Sequence, residues 1–93
     1  MIKKFKCKET EKIFNRIRSS KLLAGIQKVA LRKLNMIHAA ISVNDLRIPP
    51  ANHLERLKGN KKGSCSIRVN DQWRICFKWD KNDAYDVEII DYH

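Results

Sequence analysis

Hydrophobic residues recur at two different periods along this chain, helical in the first half and strand-like in the second. In the first half they return every three to four residues, which is the spacing of one face of an α-helix. This spacing predicts a helix over residues 9–18, with Ile13, Phe14 and Ile17 on its buried face. A second and longer helix is predicted from an apolar stripe formed by Ile26, Val29, Ala30, Leu34, Ile37 and Ile41.

The segments around these helices have no helical period. Ile2 and Phe5, which are separated by lysines, suggest a short opening strand. Residues 42–53 contain two consecutive prolines, which lack the N–H that a helix interior requires. We therefore predict a connecting loop there, anchored to the core by Leu46 and Ile48.

Strict alternation over the last third of the chain predicts three antiparallel strands. The third of them is expected to run from Ala84 to Ile90, after a turn at residues 81–83. The apolar positions that alternate are Cys65, Ile67 and Val69, then Trp73, Ile75, Phe77 and Trp79, and finally Tyr85, Val87 and Ile89.

The register of the first two strands follows from this alternation. A three-residue loop at 70–72 pairs Val69 with Trp73 and keeps every apolar side chain on one face. A two-residue loop would instead put Arg68 among the aromatic residues. The favoured register also places Arg68 directly opposite Arg74 on the other face of the sheet.

Length and charge restrict the number of domains and the kind of partner. Ninety-three residues are enough for one domain, residues 1–93. The expected fold class is α+β, with two N-terminal helices packed on a small, mainly antiparallel sheet. Residues 1–78 carry 19 Lys and Arg against 5 Asp and Glu, and the whole chain has a net charge of +10. Such an excess predicts a polyanionic partner.

The same sequence argues against membrane insertion and secretion. No apolar run approaches the roughly 20 residues of a membrane span, and no apolar signal core is present. Three irregularly spaced cysteines do not form a disulfide framework. The cysteines and histidines also lack metal-ligand spacing, so we expect neither a metal nor another cofactor. A soluble, cytoplasmic domain is the expectation.

Three cations are predicted to share the polar face of the sheet. Arg68 opposes Arg74 there, with Lys78 further along the same strand. Like charges that face each other across a strand pair are destabilising, which suggests that this face binds an anion. The alternative is that Asp86 and Glu88 of the last strand neutralise them, and the sequence leaves both open.

A basic segment and the end of the chain supply further candidates. Residues 56–63 hold four cations beside this face: Arg56, Lys58, Lys61 and Lys62. A lysine among other cations has a lowered pKa and can act as a general base, although the segment can also be a solubilising loop. The chain ends in Asp91, Tyr92 and His93, three groups suited to proton transfer near neutral pH.

Three strings in the second half carry a family resemblance. "LKG", "SIRVNDQWRICFKW" and "DAYDVEIIDYH" resemble the HigB toxins of the RelE-like superfamily, and the similarity extends to "MIKKFK" and "DLRIPPANHLERLKG". The resemblance implies a small, metal-independent endoribonuclease that cuts mRNA inside the translating ribosome. It also implies a helix-turn-helix, HigA-like antitoxin as partner, through which the toxin reaches operator DNA.

The resemblance also implies catalytic roles at matching motif positions. Arg74 would stabilise the pentacovalent phosphorane, and Lys58 or His93 would be base or acid. Asp91 would orient them, and Tyr92 would stack on a base or assist proton transfer. RNA contacts are expected from Arg56, Lys61, Lys62, Arg68, Gln72 and Lys78.

The chain departs from the family pattern at three positions. Glu55 stands where some relatives carry a histidine, with His53 nearby, and Gln72 stands where some carry asparagine. Cys65 replaces a residue that is commonly aromatic. These differences concern base preference more than the type of reaction. Two alternatives remain: a non-catalytic RNA- or ribosome-binding module, and a degenerate toxin that acts only as a regulator.

Overall fold

The structure, a computed structural model, describes residues 1–19, 24–57 and 63–91. Its helices are α1 (Lys8–Phe14) and α2 (Ala24–Ala39), followed by two 3₁₀ turns, Val43–Arg47 and Pro50–Asn52. Its strands are β1 (Glu55–Arg56), β2 (Ser64–Arg68), β3 (Trp73–Asp80) and β4 (Asp83–Asp91). The strands form one antiparallel sheet in the order β1-β2-β3-β4, and the two helices pack on one of its faces. The predicted α+β fold is confirmed.

The core lies between α2 and the sheet. Leu34 and Ile37 of α2 are fully buried, and so are Ile67 and Ile75 of the sheet. The predicted stripe of α2 is therefore largely correct, but Ile41 is an exception. The helix ends at Ala39, so Ile41 no longer follows the helical period and its side chain is 77% exposed. Neither helix in the described part of the chain has the length and apolar character that a bilayer span needs.

Helix α1 is shorter than its sequence pattern predicts. It ends at Phe14, and Arg16 adopts a left-handed conformation with φ of 64° that a continuing helix does not allow. Ile17 is consequently 54% exposed instead of lying on a buried face, whereas Ile13 is buried as expected. The Thr10 hydroxyl accepts a hydrogen bond from the backbone N–H of Ile89 at 3.0 Å, which ties α1 to β4.

The predicted register of the β2–β3 hairpin is confirmed. Ile67 pairs with Ile75 and Arg68 with Arg74. The Val69 N–H donates to the Trp73 carbonyl at 2.9 Å across the loop. The loop conformation is held by the Asn70 side-chain oxygen, which accepts hydrogen bonds from two backbone N–H groups, those of residues 72 and 73, at 2.9 and 2.8 Å.

A β-bulge in β4 changes the predicted alternation of the last strand. Between the pairs Cys76–Glu88 and Lys78–Tyr85, β4 contains one residue more than β3. Asp86, inside this interval, has a φ of 53°. The extra residue moves Tyr85 onto the face of Lys78, so its predicted place beside Val87 is wrong.

The remaining segments depart from prediction in part. Ile2 and Phe5 form two isolated parallel bridges to Ala84 and Val87, rather than a continuous strand. In the connecting loop, Leu46 is buried as predicted, but Ile48 is 77% exposed. Val43 and Leu46 lie three residues apart in the first 3₁₀ turn and share its inner side. Ile48 lies after the turn, so the three-residue period does not apply to it.

Candidate active site on the arginine face of the sheet

The face of the sheet turned away from the helices carries two arginines, and we call it the arginine face. The register gives three rows of neighbours across the strands of this face. They are Glu55–Ser66–Cys76–Glu88, Arg68–Arg74–Ile90 and Ser64–Lys78–Tyr85. Because side chains alternate along each strand, the residues between these rows face the core on the other side of the sheet.

Arg74 is the most constrained cation of this face. Its side chain is only 8% exposed. The Nε–H donates to the Ser66 hydroxyl at 2.8 Å, and Nη2 donates to the Ser66 carbonyl at 3.2 Å and to the His53 carbonyl. Nη1 lies 3.8 Å from a carboxylate oxygen of Glu55, which is half exposed at the rim. The guanidinium is therefore held in one orientation before any ligand arrives.

The repulsion between the two arginines is relieved by different anions. Arg68 forms an ion pair with Asp71, three residues further along in the hairpin turn. Arg74 has the Glu55 carboxylate near Nη1. The acidic residues that the sequence offered as neutralising partners are paired with lysines: Asp86 is 3.7 Å from the Nζ of Lys78, and Glu88 is 3.7 Å from the Nζ of Lys6. Only the Lys78 part of that alternative is therefore found.

The start of β3 and the end of β4 meet at the same edge of the site. The Gln72 side-chain amide donates to the Asp91 carboxylate at 2.9 Å, and Trp73 pairs with Asp91 in the register. Two motifs that lie far apart in the sequence are thereby brought together. The other predicted site residues, Lys58, Lys61, Lys62, Tyr92 and His93, lie outside the described residues.

The structure does not group Arg56 with the other cations. Arg56 pairs with Cys65, whose neighbour Ser66 contacts Arg74, so Arg56 lies on the opposite face of the sheet at its exposed edge. Burial raises the pKa of the Cys65 thiol, while the charge of Arg56 opposes that shift. Contact between Arg56 and the ligand of the arginine face would require the ligand to wrap around β1.

A cleft of about 190 Å³ lies along β3, beginning at Cys76, two residues after Arg74 on the same face. Its lining is mixed: the charged residues Lys6, Lys78, Asp86 and Glu88, the neutral Ser64 and Cys76, and the apolar Leu57 and Phe77. In the described part of the chain, no three His, Cys, Asp or Glu side chains are grouped as metal ligands. The cleft is therefore a recess of mixed polarity whose charged groups carry both signs.

Sequence analysis missed two of the groups that hold Arg74. Ser66 carried a usable signal, because the predicted register places it opposite Cys76 and next to Arg74 on the same face. The His53 carbonyl had no signal, since any residue supplies a carbonyl and only the path of the loop brings this one to the guanidinium. Glu55 was noted only as a departure from the family pattern.

Comparison with solved structures identifies the fold. The heterotetrameric complex of the YoeB-YefM toxin-antitoxin from Staphylococcus aureus contains a chain that aligns with a TM-score of 0.61 and 22% identity, over 100% of this chain and 98% of that one. The YoeB dimer from the same organism aligns with a TM-score of 0.59, also at 22% identity, over 99% and 97%. The fold is thus that of these small toxins.

Sequence comparisons identify the particular family. The family model described as "RelE-like toxin of type II toxin-antitoxin system HigB" matches residues 3–93. Toxin HigB-1 of Vibrio cholerae serotype O1 is 44% identical over 80 residues, covering 85% of this chain and 84% of the relative. Endoribonuclease HigB of Proteus vulgaris is 33% identical over 93 residues, the full length of both. The chain belongs to the HigB-like toxin family, which confirms the resemblance drawn from its motifs.

Proposed function

We propose that this toxin is an endoribonuclease that cuts mRNA on the ribosome, with the scissile phosphate bound at Arg74. The observation that carries the proposal is the fixed guanidinium of Arg74, whose Nε and Nη2 are held by Ser66 and the His53 carbonyl. A cation that is oriented in advance stabilises developing charge without reorganising during the reaction. Family membership and the name of the Proteus vulgaris relative support the same activity.

The proposed reaction is an intramolecular transesterification of RNA. A base removes the proton of a ribose 2′-OH, and the oxygen attacks the adjacent phosphorus, forming a new P–O bond. The P–O5′ bond breaks, and the leaving 5′-oxygen receives a proton from an acid. The products are a 2′,3′-cyclic phosphate and a free 5′-OH. Arg74 stabilises the extra negative charge of the phosphorane between these two steps.

Proton transfer is assigned to the motif residues that the family resemblance implies. We assign Lys58 or His93 as base or acid, and Asp91 as the group that orients them. Tyr92 would stack on a base or assist proton transfer. The hydrogen bond from Gln72 to Asp91 supports a role for Asp91, because it fixes the carboxylate at the end of β4, one residue after Ile90, the partner of Arg74.

Glu55 has a distinct place in the proposal. Its carboxylate lies 3.8 Å from Nη1 of Arg74 and is half exposed, so it occupies the position of an anion that an incoming phosphate can replace. Because only the guanidinium is buried and Glu55 itself reaches solvent, 3.8 Å from Nη1, a phosphate can take its place without displacing the other partners of Arg74. Glu55 thereby keeps the site neutralised until RNA binds.

The remaining cations would bind the RNA backbone. Arg68 and Lys78 flank Arg74 on the arginine face, and Gln72 lies at its edge. Lys61 and Lys62 would supply further contacts, and Arg56 would join them if the RNA wraps around β1. The ribosome would hold the mRNA in the reactive conformation, an entropic contribution that a protein of 93 residues can hardly make alone.

An antitoxin is the expected protein partner, since the family consists of toxins of type II toxin–antitoxin systems. We propose a HigA-like antitoxin with a helix-turn-helix, through which the toxin contacts operator DNA. Expression of the toxin without this partner should arrest growth. Normal growth with folded, soluble toxin would contradict the proposed activity.

The activity is tested by single-turnover cleavage on programmed ribosomes. Purified toxin should cut the bound mRNA and leave a 2′,3′-cyclic phosphate, while the same mRNA free in solution is cut far more slowly. Lys58→Ala and His93→Ala should each slow cleavage on the order of 10²-fold if both residues transfer protons. Binding to ribosomes without any cleavage would instead identify a non-catalytic binding module.

A further inference from the structure

Helix α2 buries a lysine within its apolar stripe. Lys33 lies three residues after Ala30 and next to Leu34, and its side chain is only 5% exposed. Its Nζ donates a hydrogen bond to the side-chain oxygen of Asn52. Burial, together with the like charges of Arg32 and Arg68, lowers the pKa of Lys33. An apolar side chain at this position would avoid the cost of burying an ammonium group.

Asn52 connects the helix to the loop that precedes the sheet. It is fully buried at the end of the second 3₁₀ turn. Its side-chain oxygen accepts the hydrogen bond from Lys33. Its side-chain nitrogen donates to the Leu46 carbonyl at 3.2 Å and lies 3.8 Å from the sulfur of Met36. One amide therefore joins α2 to both 3₁₀ turns, and its orientation is set by directional bonds on both sides.

The next residue, His53, connects Asn52 to Arg74. His53 follows Asn52 in a left-handed conformation with φ of 43°, and its N–H donates to the Pro50 carbonyl at 3.0 Å. Its carbonyl accepts a hydrogen bond from Nη2 of Arg74. A continuous path thus runs from Lys33 through Asn52 and the adjoining peptide to the guanidinium of Arg74.

We infer that Lys33 is a positioning residue for Arg74, acting through Asn52 and the His53 carbonyl. The inference rests on the proposed function in one respect, that Arg74 contacts the reacting phosphate. Asn52 shares the role, because its side chain receives the Lys33 hydrogen bond. Lys33 itself lies in α2 and does not touch the RNA.

The main test is a double-mutant cycle on the cleavage rate. Lys33→Met keeps a long, unbranched side chain but removes the donor to Asn52. Single-turnover cleavage on ribosomes should fall on the order of 10- to 100-fold, because a small displacement of a catalytic group is costly, while ribosome affinity stays the same. In an Arg74→Lys background the same change should have almost no further effect. An equal loss in both backgrounds would mean that Lys33 acts independently of Arg74, and would overturn the inference.

Two further variants separate positioning from general stability. Ile26→Ala removes a buried side chain from the same helix without touching the hydrogen-bond path, and should destabilise the fold while the folded protein cleaves at the normal rate. Lys33→Gln keeps a donor and should recover part of the rate that Lys33→Met loses. The inference fails if Ile26→Ala slows cleavage as much as Lys33→Met, or if Gln and Met at position 33 give the same rate.

A spectroscopic measurement is independent of catalysis. The Nε–H of Arg74, assigned as the signal missing from the Arg74→Lys spectrum, should shift in the ¹H–¹⁵N spectrum of Lys33→Met and stay in place in Ile26→Ala. An unchanged signal in Lys33→Met would overturn the inference. If the wild-type toxin cut no RNA, the proposed function would fail, and this shift would still decide whether Lys33 positions Arg74.

Discussion

The two faces of the sheet are built from the same strands but are held together in different ways. On the helix-packed face, Ile67, Ile75 and Phe77 are at most 1% exposed and belong to the apolar core. On the arginine face, Ser66 and Arg74 are almost equally buried, at 0% and 8% exposed, and they are joined by hydrogen bonds. Burial by itself therefore does not distinguish the core from the candidate site.

This difference has an energetic consequence. Apolar contacts are non-directional, so a core tolerates changes that conserve its volume. A buried guanidinium depends on each of its acceptors, because the loss of one leaves a polar group unsatisfied away from water. Substitutions that remove buried volume on the helix-packed face should therefore lower stability, whereas those that change how Arg74 is held should also change RNA cleavage.

The largest expected effect is on the helix-packed face. Phe77→Ala should destabilise the protein by about 3–5 kcal/mol, because it removes a large buried side chain and leaves a cavity. The free energy of unfolding in denaturant measures this loss. Lys78→Ala, one residue further along β3 on the arginine face, should stay within about 0.5 kcal/mol of the wild type. Similar losses in both variants would remove the contrast between the faces.

The next effect concerns the arginine face. Arg74→Lys keeps the charge but loses the planar fork that Ser66 and the His53 carbonyl hold. Cleavage on ribosomes should slow by about 10²-fold, or roughly 3 kcal/mol of activation free energy. Arg47→Lys is the matched control, since Arg47 is exposed in the first 3₁₀ turn and should leave the rate unchanged. An unaltered rate in Arg74→Lys would mean that the reacting phosphate does not bind at Arg74.

A smaller effect tests the anion at the rim of the site. Glu55→Gln removes the carboxylate near Nη1 of Arg74 and should tighten RNA binding by about 0.2–1 kcal/mol, a few-fold in Kd at most. Equilibrium binding of a non-cleavable RNA measures it. Glu11→Gln, an exposed change on α1, should have no such effect. A large loss of cleavage in Glu55→Gln would instead make Glu55 a participant in proton transfer.

The smallest effect is electrostatic. Lys78 is 61% exposed on the arginine face, and Lys78→Ala should weaken RNA binding slightly. The logarithmic dependence of Kd on salt should become shallower by about 0.7, the contribution of one phosphate contact on a single strand. Arg47→Ala should leave this slope unchanged. An unchanged slope in Lys78→Ala would mean that Lys78 does not contact an RNA phosphate.

The local pattern of the sequence determined which side of β2 and of β3 faces the core. The rule that apolar residues share one face selected the three-residue loop, and this loop alone places Arg68 opposite Arg74. The motif "QWR" could be named as a candidate through the family resemblance, and the end of the chain also through its three groups suited to proton transfer. Side-chain alternation is a property of a few consecutive residues, so it can be derived without knowing the rest of the fold.

Only the tertiary structure decided how the arginine is held. The bulge at Asp86 reverses the side of Tyr85, and the loop after α2 brings the His53 carbonyl to Arg74 and the Asn52 amide to Lys33. These contacts join segments 19 and 21 residues apart, and no local period encodes them. They depend on where a loop without regular hydrophobic spacing lies once the helices have packed on the sheet.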